Sequence, residues 1–164
     1  MRVLVAVASR HGATREIGDA VGDVLREEGL DVDVHDAGKA PAPDGYAAVV
    51  LGSASYLGRW LEPARDYVER YAEGLVDRPV WLFTSGPIGE PLRPDEREAV
   101  NLDEVVAATQ ARAHTLFPGK LDKGTLGFGE RAMVAAFRVR EGDFRDWDTI
   151  RAWAAGIARE LSSP

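Results

Sequence analysis

Residues Val3-Leu4-Val5-Ala6-Val7-Ala8 form an unbroken apolar run, followed at once by Ser9-Arg10-His11-Gly12-Ala13-Thr14 and then by helical periodicity. A short apolar run that ends in small and hydroxyl residues predicts a strand buried on both faces, as in a parallel sheet, that feeds a tight turn and a helix N-terminus. The first N–H groups of a helix have no intrahelical acceptor, and the helix dipole places partial positive charge there. The turn therefore suits a phosphate. Gly12 permits close approach of the backbone, and the hydroxyls of Ser9 and Thr14 can donate to phosphate oxygens without a lysine. A Ser/Thr helix cap with nothing bound accounts for the same residues. The segment fits neither G-x-x-x-x-G-K-[ST] nor G-x-G-x-x-G, which leaves a hydroxyl-rich loop suited to a terminal phosphomonoester.

Beyond this loop, strands and helices alternate. Residues 14–28 carry Ile17, Ala20, Val21, Val24 and Leu25 at helical spacing, with Gly29 where a C-terminal cap belongs. Residues 30–35 alternate apolar with acidic side chains, as an edge strand does, and residues 40–45 are a turn-rich connection with no helix expected. A buried strand is predicted over 47–52, a helix over 61–75, a strand over 80–84, a weaker helix over 101–113 and a short strand over 114–117. A partly helical segment over 125–137 and a closing helix over 147–161 complete the pattern. Such alternation predicts an α/β, doubly wound, mostly parallel sheet with helices on both faces. The 164 residues fit one domain, 1–164.

In doubly wound sheets ligands bind outside the carboxyl ends of the strands. That rule selects loop 9–14 and two others. Loop 53–60 offers Ser53, Ala54, Ser55, Leu57 and Gly58, small or apolar residues beside which a planar ring can lie, with Tyr56 and Trp60 to flank it. A core position accounts for Trp60 equally well. The third loop, residues 85–93, offers Ser85, Gly86, Pro87 and Gly89 just after Thr84, a small-residue turn able to present backbone groups to a heterocycle edge. A phosphate at one end and a flat ring at the other describe FMN. No side chain stands out as a catalytic acid or base.

Several function classes are excluded or disfavoured. The formal charge of -7 argues against a nucleic-acid partner and favours basic protein surfaces. With no cysteine, thiol redox chemistry and Cys-ligated metals are absent, so a redox role needs an organic cofactor. His11, His35 and His114 are too far apart in sequence for zinc-motif spacing, and no G-x-S-x-G elbow occurs. A phosphorelay receiver needs carboxylates where this chain has Ala8-Ser9 and Gly52-Ser53. The stretch from Gly127 to Ala132 fits G-x-G-x-x-A but follows no clear strand and is set aside. No transmembrane segment or signal sequence is legible, and a cytoplasmic protein is expected. A non-redox scaffold that keeps the fold is the alternative from another class.

The first loop resembles that of the flavodoxin family, T/S-x-T-G-x-T, with His11 in place of the middle hydroxyl. Ser9-Arg10-His11-Gly12-Ala13-Thr14-Arg15-Glu16-Ile17 is more similar to the S-x-x-G-x-T-R-E-I form of short flavodoxin-domain proteins of the menaquinone-dependent protoporphyrinogen oxidase type. Asp146-Trp147-Asp148-Thr149-Ile150 also resembles that group. The resemblance implies a flavodoxin-like, five-stranded parallel sheet of order 2-1-3-4-5 and an FMN-dependent oxidoreductase. It could be a one-electron carrier or a two-electron dehydrogenase, including a quinone-linked protoporphyrinogen IX dehydrogenase. Partners implied are a redox protein or a small-molecule or quinone acceptor. Residues 118–145 carry Lys120, Lys123, Arg131, Arg138 and Arg140, a basic stretch in an acidic chain. It reads either as a helix with a solvated basic rim or as a docking surface for an anionic substrate or a membrane.

Overall fold

The computed structural model describes residues 1–56, 58–86, 102–122, 124, 127–136 and 141–164. Strand β1 (Arg2–Ala8) lies between β2 (Asp31–Asp36) and β3 (Ala48–Tyr56), and β3 pairs in turn with β5 (Val80–Ser85), which pairs with β6 (Ala113–Phe117). All four pairings are parallel. The order β2-β1-β3-β5-β6 is the expected 2-1-3-4-5 layout once β4 (Arg59–Trp60), a two-residue antiparallel partner of β3, is set aside. Residues Val3 to Val7 are each 0% exposed, which explains why β1 reads as a continuous apolar run rather than an alternating one. At the edge, β2 keeps Asp31 and Asp36 exposed, charges that discourage pairing with another chain.

Successive side chains of a strand point to opposite faces, and the core divides accordingly. Val3, Val5, Val7, Val50, Trp81 and Phe83 pack under α1 (Ala13–Glu27) and the C-terminal helix α5 (Trp147–Ser162). Leu4, Ala6, Val49, Leu51 and Leu82 pack under α2 (Glu62–Val76) and α3 (Asp103–Thr109). On the first face Phe83, Phe117 and Trp153 form a triangle of rings with centroids 5.5 to 5.9 Å apart, two of the three contacts edge-on. Helix α1 lies close to the sheet because Gly18 and Gly22 face it: a Cβ on Gly18 would come within 2.4 Å of Val7 Cγ2, and one on Gly22 within 2.6 Å of Val34 Cγ2.

The expected elements recur with four differences. Strand β3 runs on to Tyr56 instead of ending at Gly52, because Ser53 and Ala54 find parallel partners in Thr84 and Ser85, and Ser55 and Tyr56 find antiparallel ones in Trp60 and Arg59. Most of the expected loop 53–60 is therefore a hairpin. The connection after β2 contains two single turns of 3-10 helix, Ala37–Lys39 and Pro43–Gly45. Helix α3 is shorter than expected, ending where Gln110 turns left-handed (φ 54°) and donates its N–H to Val106 O. Finally, the basic stretch contains a small antiparallel pair, β7 (Lys120–Leu121) with β8 (Gly142–Asp143), flanking helix α4 (Phe128–Ala136).

Candidate functional site

The register aligns the carboxyl ends of the three central strands: Ala8 of β1 is level with Ser53 of β3, and Ala54 of β3 with Ser85 of β5. The segments leaving these strands are thereby gathered at one edge of the sheet. After β1 the chain turns through Gly12, whose backbone is left-handed (φ 92°, ψ -16°) and which occupies the N-cap position of α1 without any side-chain cap. The turn is held from within, since Ser9 Oγ accepts the Gly12 N–H at 3.0 Å. The first helical bond runs from Glu16 N–H to Gly12 O, so the N–H groups of Ala13, Thr14 and Arg15 stand ahead of the helical ladder. Among the described residues, its own chain neighbours aside, no heavy atom lies within 4 Å of where a Gly12 Cβ would sit, so this face of the turn is open. Thr14 lies beneath, 3% exposed. An open turn whose first N–H groups have no intrahelical acceptor suits an anion.

Two basic side chains of the turn already hold an anionic group. His11 Nε2 lies 2.8 Å from Glu130 Oε2, and Arg10 Nε lies 3.4 Å from Oε1. The hydrogen bond with His11, aided by the charge of Arg10, holds the Glu130 carboxyl below its usual range. The Arg10 guanidinium also covers the ring of Tyr56, 4.8 Å from its centroid, and so links the turn to the end of β3. Glu130 lies on α4 and was not anticipated among the site residues. Its only sequence signal is an acidic residue in the first turn of a helix within a basic stretch.

Arg145 was likewise missed. Its side chain, 4% exposed, donates to Glu16 Oε2 at 2.8 Å, Ala13 O at 3.3 Å and Asp143 Oδ2 at 2.7 Å, and lies 4.7 Å from the centre of the Trp147 ring. It ties β8 and the start of α5 to the first turn of α1, and it holds the Asp143 carboxyl below the usual carboxylate range. The adjoining Asp146 caps α5 by accepting from Thr149 N–H at 3.1 Å and Thr149 Oγ1 at 2.8 Å.

The second group of expected residues divides. Tyr56 is 36% exposed, Ala54 and Ser55 are half-buried, and Gly58 sits at the hairpin tip with φ 75°. Leu57 lies outside the described residues. Trp60, by contrast, is 2% exposed, and its indole N–H donates to Thr84 Oγ1 at 2.8 Å, so its ring belongs to the core and does not flank an open site. Ser53 is also withdrawn: fully buried, its hydroxyl donates to Ala54 O at 2.8 Å and accepts Leu61 N–H at 3.0 Å. Thr84 is fully buried and additionally 2.8 Å from His114 Nε2. These three shape the strand ends from below. Ser85 is buried, and Gly86, with φ 87°, donates its N–H to Phe117 O at 2.9 Å. Pro87 and Gly89 lie outside the described residues.

Comparison with known proteins bears on this arrangement. Residues 4–148 match the flavodoxin domain. The chain belongs to the flavodoxin domain family. Its members bind FMN and transfer electrons, and FMN is the cofactor of this flavodoxin-domain chain. The residues present fit that cofactor at its phosphate end, where the open left-handed Gly12, the first-turn N–H groups ahead of the helical ladder and the Arg10 and His11 side chains meet. A protoporphyrinogen IX dehydrogenase [quinone] of Escherichia coli strain K12 is 25% identical over 99 residues, which are 59% of this chain and 54% of that protein. The chain thus spans about half the length of that relative. Among solved structures, a flavodoxin from the Archaea (TM-score 0.67, 16% identity, 99% of this chain and 100% of that one) and oxidised flavodoxin 1 of Bacillus cereus (TM-score 0.66, 16% identity, 99% and 100%) share the fold. Among the described residues no cluster of three or more His, Asp or Glu could hold a metal, and no helix is long and apolar enough to cross a membrane.

Proposed function

We propose that this flavodoxin-domain chain is an oxidoreductase whose FMN is held by the turn at residues 9–14. The single observation that carries the reading is the open left-handed Gly12 between a buried parallel strand and an uncapped helix N-terminus. Backbone N–H groups of residues 13–15 and the hydroxyl of Thr14 would face the phosphate, with Ser9 fixing the curvature of the turn. Ala54, Ser55, Tyr56 and Gly58 of the hairpin, together with Ser85 and Gly86, would line the ring end, and Leu57, Pro87 and Gly89 are proposed to complete it. Trp60 and Thr84 keep the hairpin and β5 in fixed relation beneath these groups. FMN, when bound, supplies transfer of one or two electrons. The acidic balance of the chain suits a basic redox partner protein, and a small-molecule or quinone acceptor is the other partner class.

The test is titration of the purified protein with FMN followed by anaerobic stepwise reduction. A yellow complex that reduces in one two-electron step supports a dehydrogenase, and two resolvable one-electron steps support a carrier. No FMN binding at micromolar concentration overturns the reading and leaves a scaffold role. A second reading, quinone-linked dehydrogenation of a porphyrinogen, is favoured by the similarity to the E. coli enzyme and by the loop Ser9-Arg10-His11-Gly12-Ala13-Thr14-Arg15-Glu16-Ile17. Appearance of porphyrin fluorescence from a porphyrinogen, dependent on both FMN and an added quinone, tests it.

A further inference from the structure

The proposed function leaves one strong contact at the site unused, that of Glu130 with the phosphate turn. Arg10 and His11 are the two basic side chains of the turn, and both are engaged by one carboxylate brought in from α4, at 3.4 Å and 2.8 Å. Glu130 is only 18% exposed at its side chain, so water screens this contact incompletely. A phosphate at the turn would present further negative oxygens to the same guanidinium and imidazole N–H donors. Two anions cannot both take a single imidazole N–H, and like charges crowded at a half-buried site disfavour one another.

We propose that Glu130 is an internal competitor for the phosphate-binding side chains: it latches α4 to Arg10 and His11, and the phosphate of the flavin displaces it. The proposal rests on the reading of residues 9–14 as the phosphate turn. The latch has two consequences. Glu130 lowers the preference of the site for FMN over riboflavin, which lacks the phosphate. Cofactor binding also loosens α4, the reverse of the tightening that ligands ordinarily bring to neighbouring segments.

The test compares wild type with Glu130→Gln, using flavin fluorescence quenching to measure FMN and riboflavin dissociation constants at one pH and ionic strength. Breaking one charge-assisted hydrogen bond is no longer required in the variant, so FMN should bind about tenfold tighter, while riboflavin changes less than twofold. Hydrogen exchange provides a readout that does not depend on the variant: in wild type, amides of residues 128–136 should exchange faster with FMN than without it. Unchanged or weaker FMN binding by Glu130→Gln, an equal gain for riboflavin, or slower exchange of α4 with FMN each overturns the latch. Wild type that binds FMN no better than riboflavin overturns the phosphate-turn reading and the latch with it. A strong FMN preference untouched by Glu130→Gln overturns the latch alone.

Discussion

Replacing Gly18 by Ala tests how closely α1 is held to the sheet that positions the proposed cofactor turn. The new Cβ would sit 2.4 Å from Val7 Cγ2, whereas carbon atoms in contact are about 3.5 to 4.0 Å apart, so some group must move by about 1 Å or more. Val7 is 0% exposed and β-branched, hence unable to yield by a small torsion, and the helix itself must lift. Overpacking of this kind costs about 1–3 kcal/mol, while Ala returns up to about 1 kcal/mol of helix propensity. The net is a loss of up to about 2 kcal/mol, and for a chain of this size the melting temperature falls by up to about 8 °C. Gly156→Ala in α5 is the control, since the nearest atom to its Cβ would be Arg159 Nη2 at 3.8 Å. There propensity acts alone and the protein gains about 0.5–1 kcal/mol. Urea denaturation and thermal melts followed by circular dichroism measure both. Lifting α1 also displaces the N–H groups of residues 13–15, so FMN affinity should drop several-fold in Gly18→Ala and stay constant in Gly156→Ala. A Gly18→Ala variant as stable as Gly156→Ala would refute the close-packing argument.

Further outcomes are expected from the same structure. The Cβ of Gly12→Val would meet no atom of the described residues within 4 Å, but the variant places a β-branched residue at φ 92°, a strain of about 1–2 kcal/mol that the turn relieves by changing shape; FMN affinity should fall at least about tenfold, and retained affinity in a titration would count against the turn as the phosphate site. Arg145→Ala strands Asp143 and Glu16, but these are 43% and 58% exposed and can hydrate, so the loss in urea denaturation should be about 1–2 kcal/mol rather than the about 3–5 kcal/mol of a buried pair. Asp143 and Glu130 both titrate below their usual range when folded, chiefly through hydrogen bonds from Arg145 and His11. Their contribution is therefore complete above the unfolded carboxyl value of about 4 and is lost as pH falls through the lower folded values. Stability measured from pH 6 to pH 2 should decline along this limb, and less steeply in Arg145→Ala; identical slopes would show that this pair does not contribute.

The layered sheet was legible because local physics marks it. The unbroken apolar run at residues 3–8 can only be buried on both faces, the stripe from Ile17 to Leu25 has room on one helix face, and Gly29 ends that helix with φ 90°. Alternation gave the doubly wound parallel sheet, the strand order was implied by the resemblance to flavodoxins and is present in the structure, and the turn at residues 9–14 was legible from the residue types it contains. Tertiary structure decided what periodicity cannot report, namely which buried or charged group meets which. Ser53, Ala54 and Ser55 look like loop residues, yet they continue β3 because β5 and β4 lie beside them to accept their backbone bonds. Trp60 suits a flanking ring or a core ring by its type alone, and the Thr84 hydroxyl within 2.8 Å draws it into the core. His11 and Glu130 are 119 positions apart, as Arg145 and Glu16 are 129 apart, and no local pattern links such pairs. They meet because the chain, having built the sheet, brings α4 and β8 back over the N-terminus of α1, so the composition of the turn was written locally while the charge that faces it came from the fold.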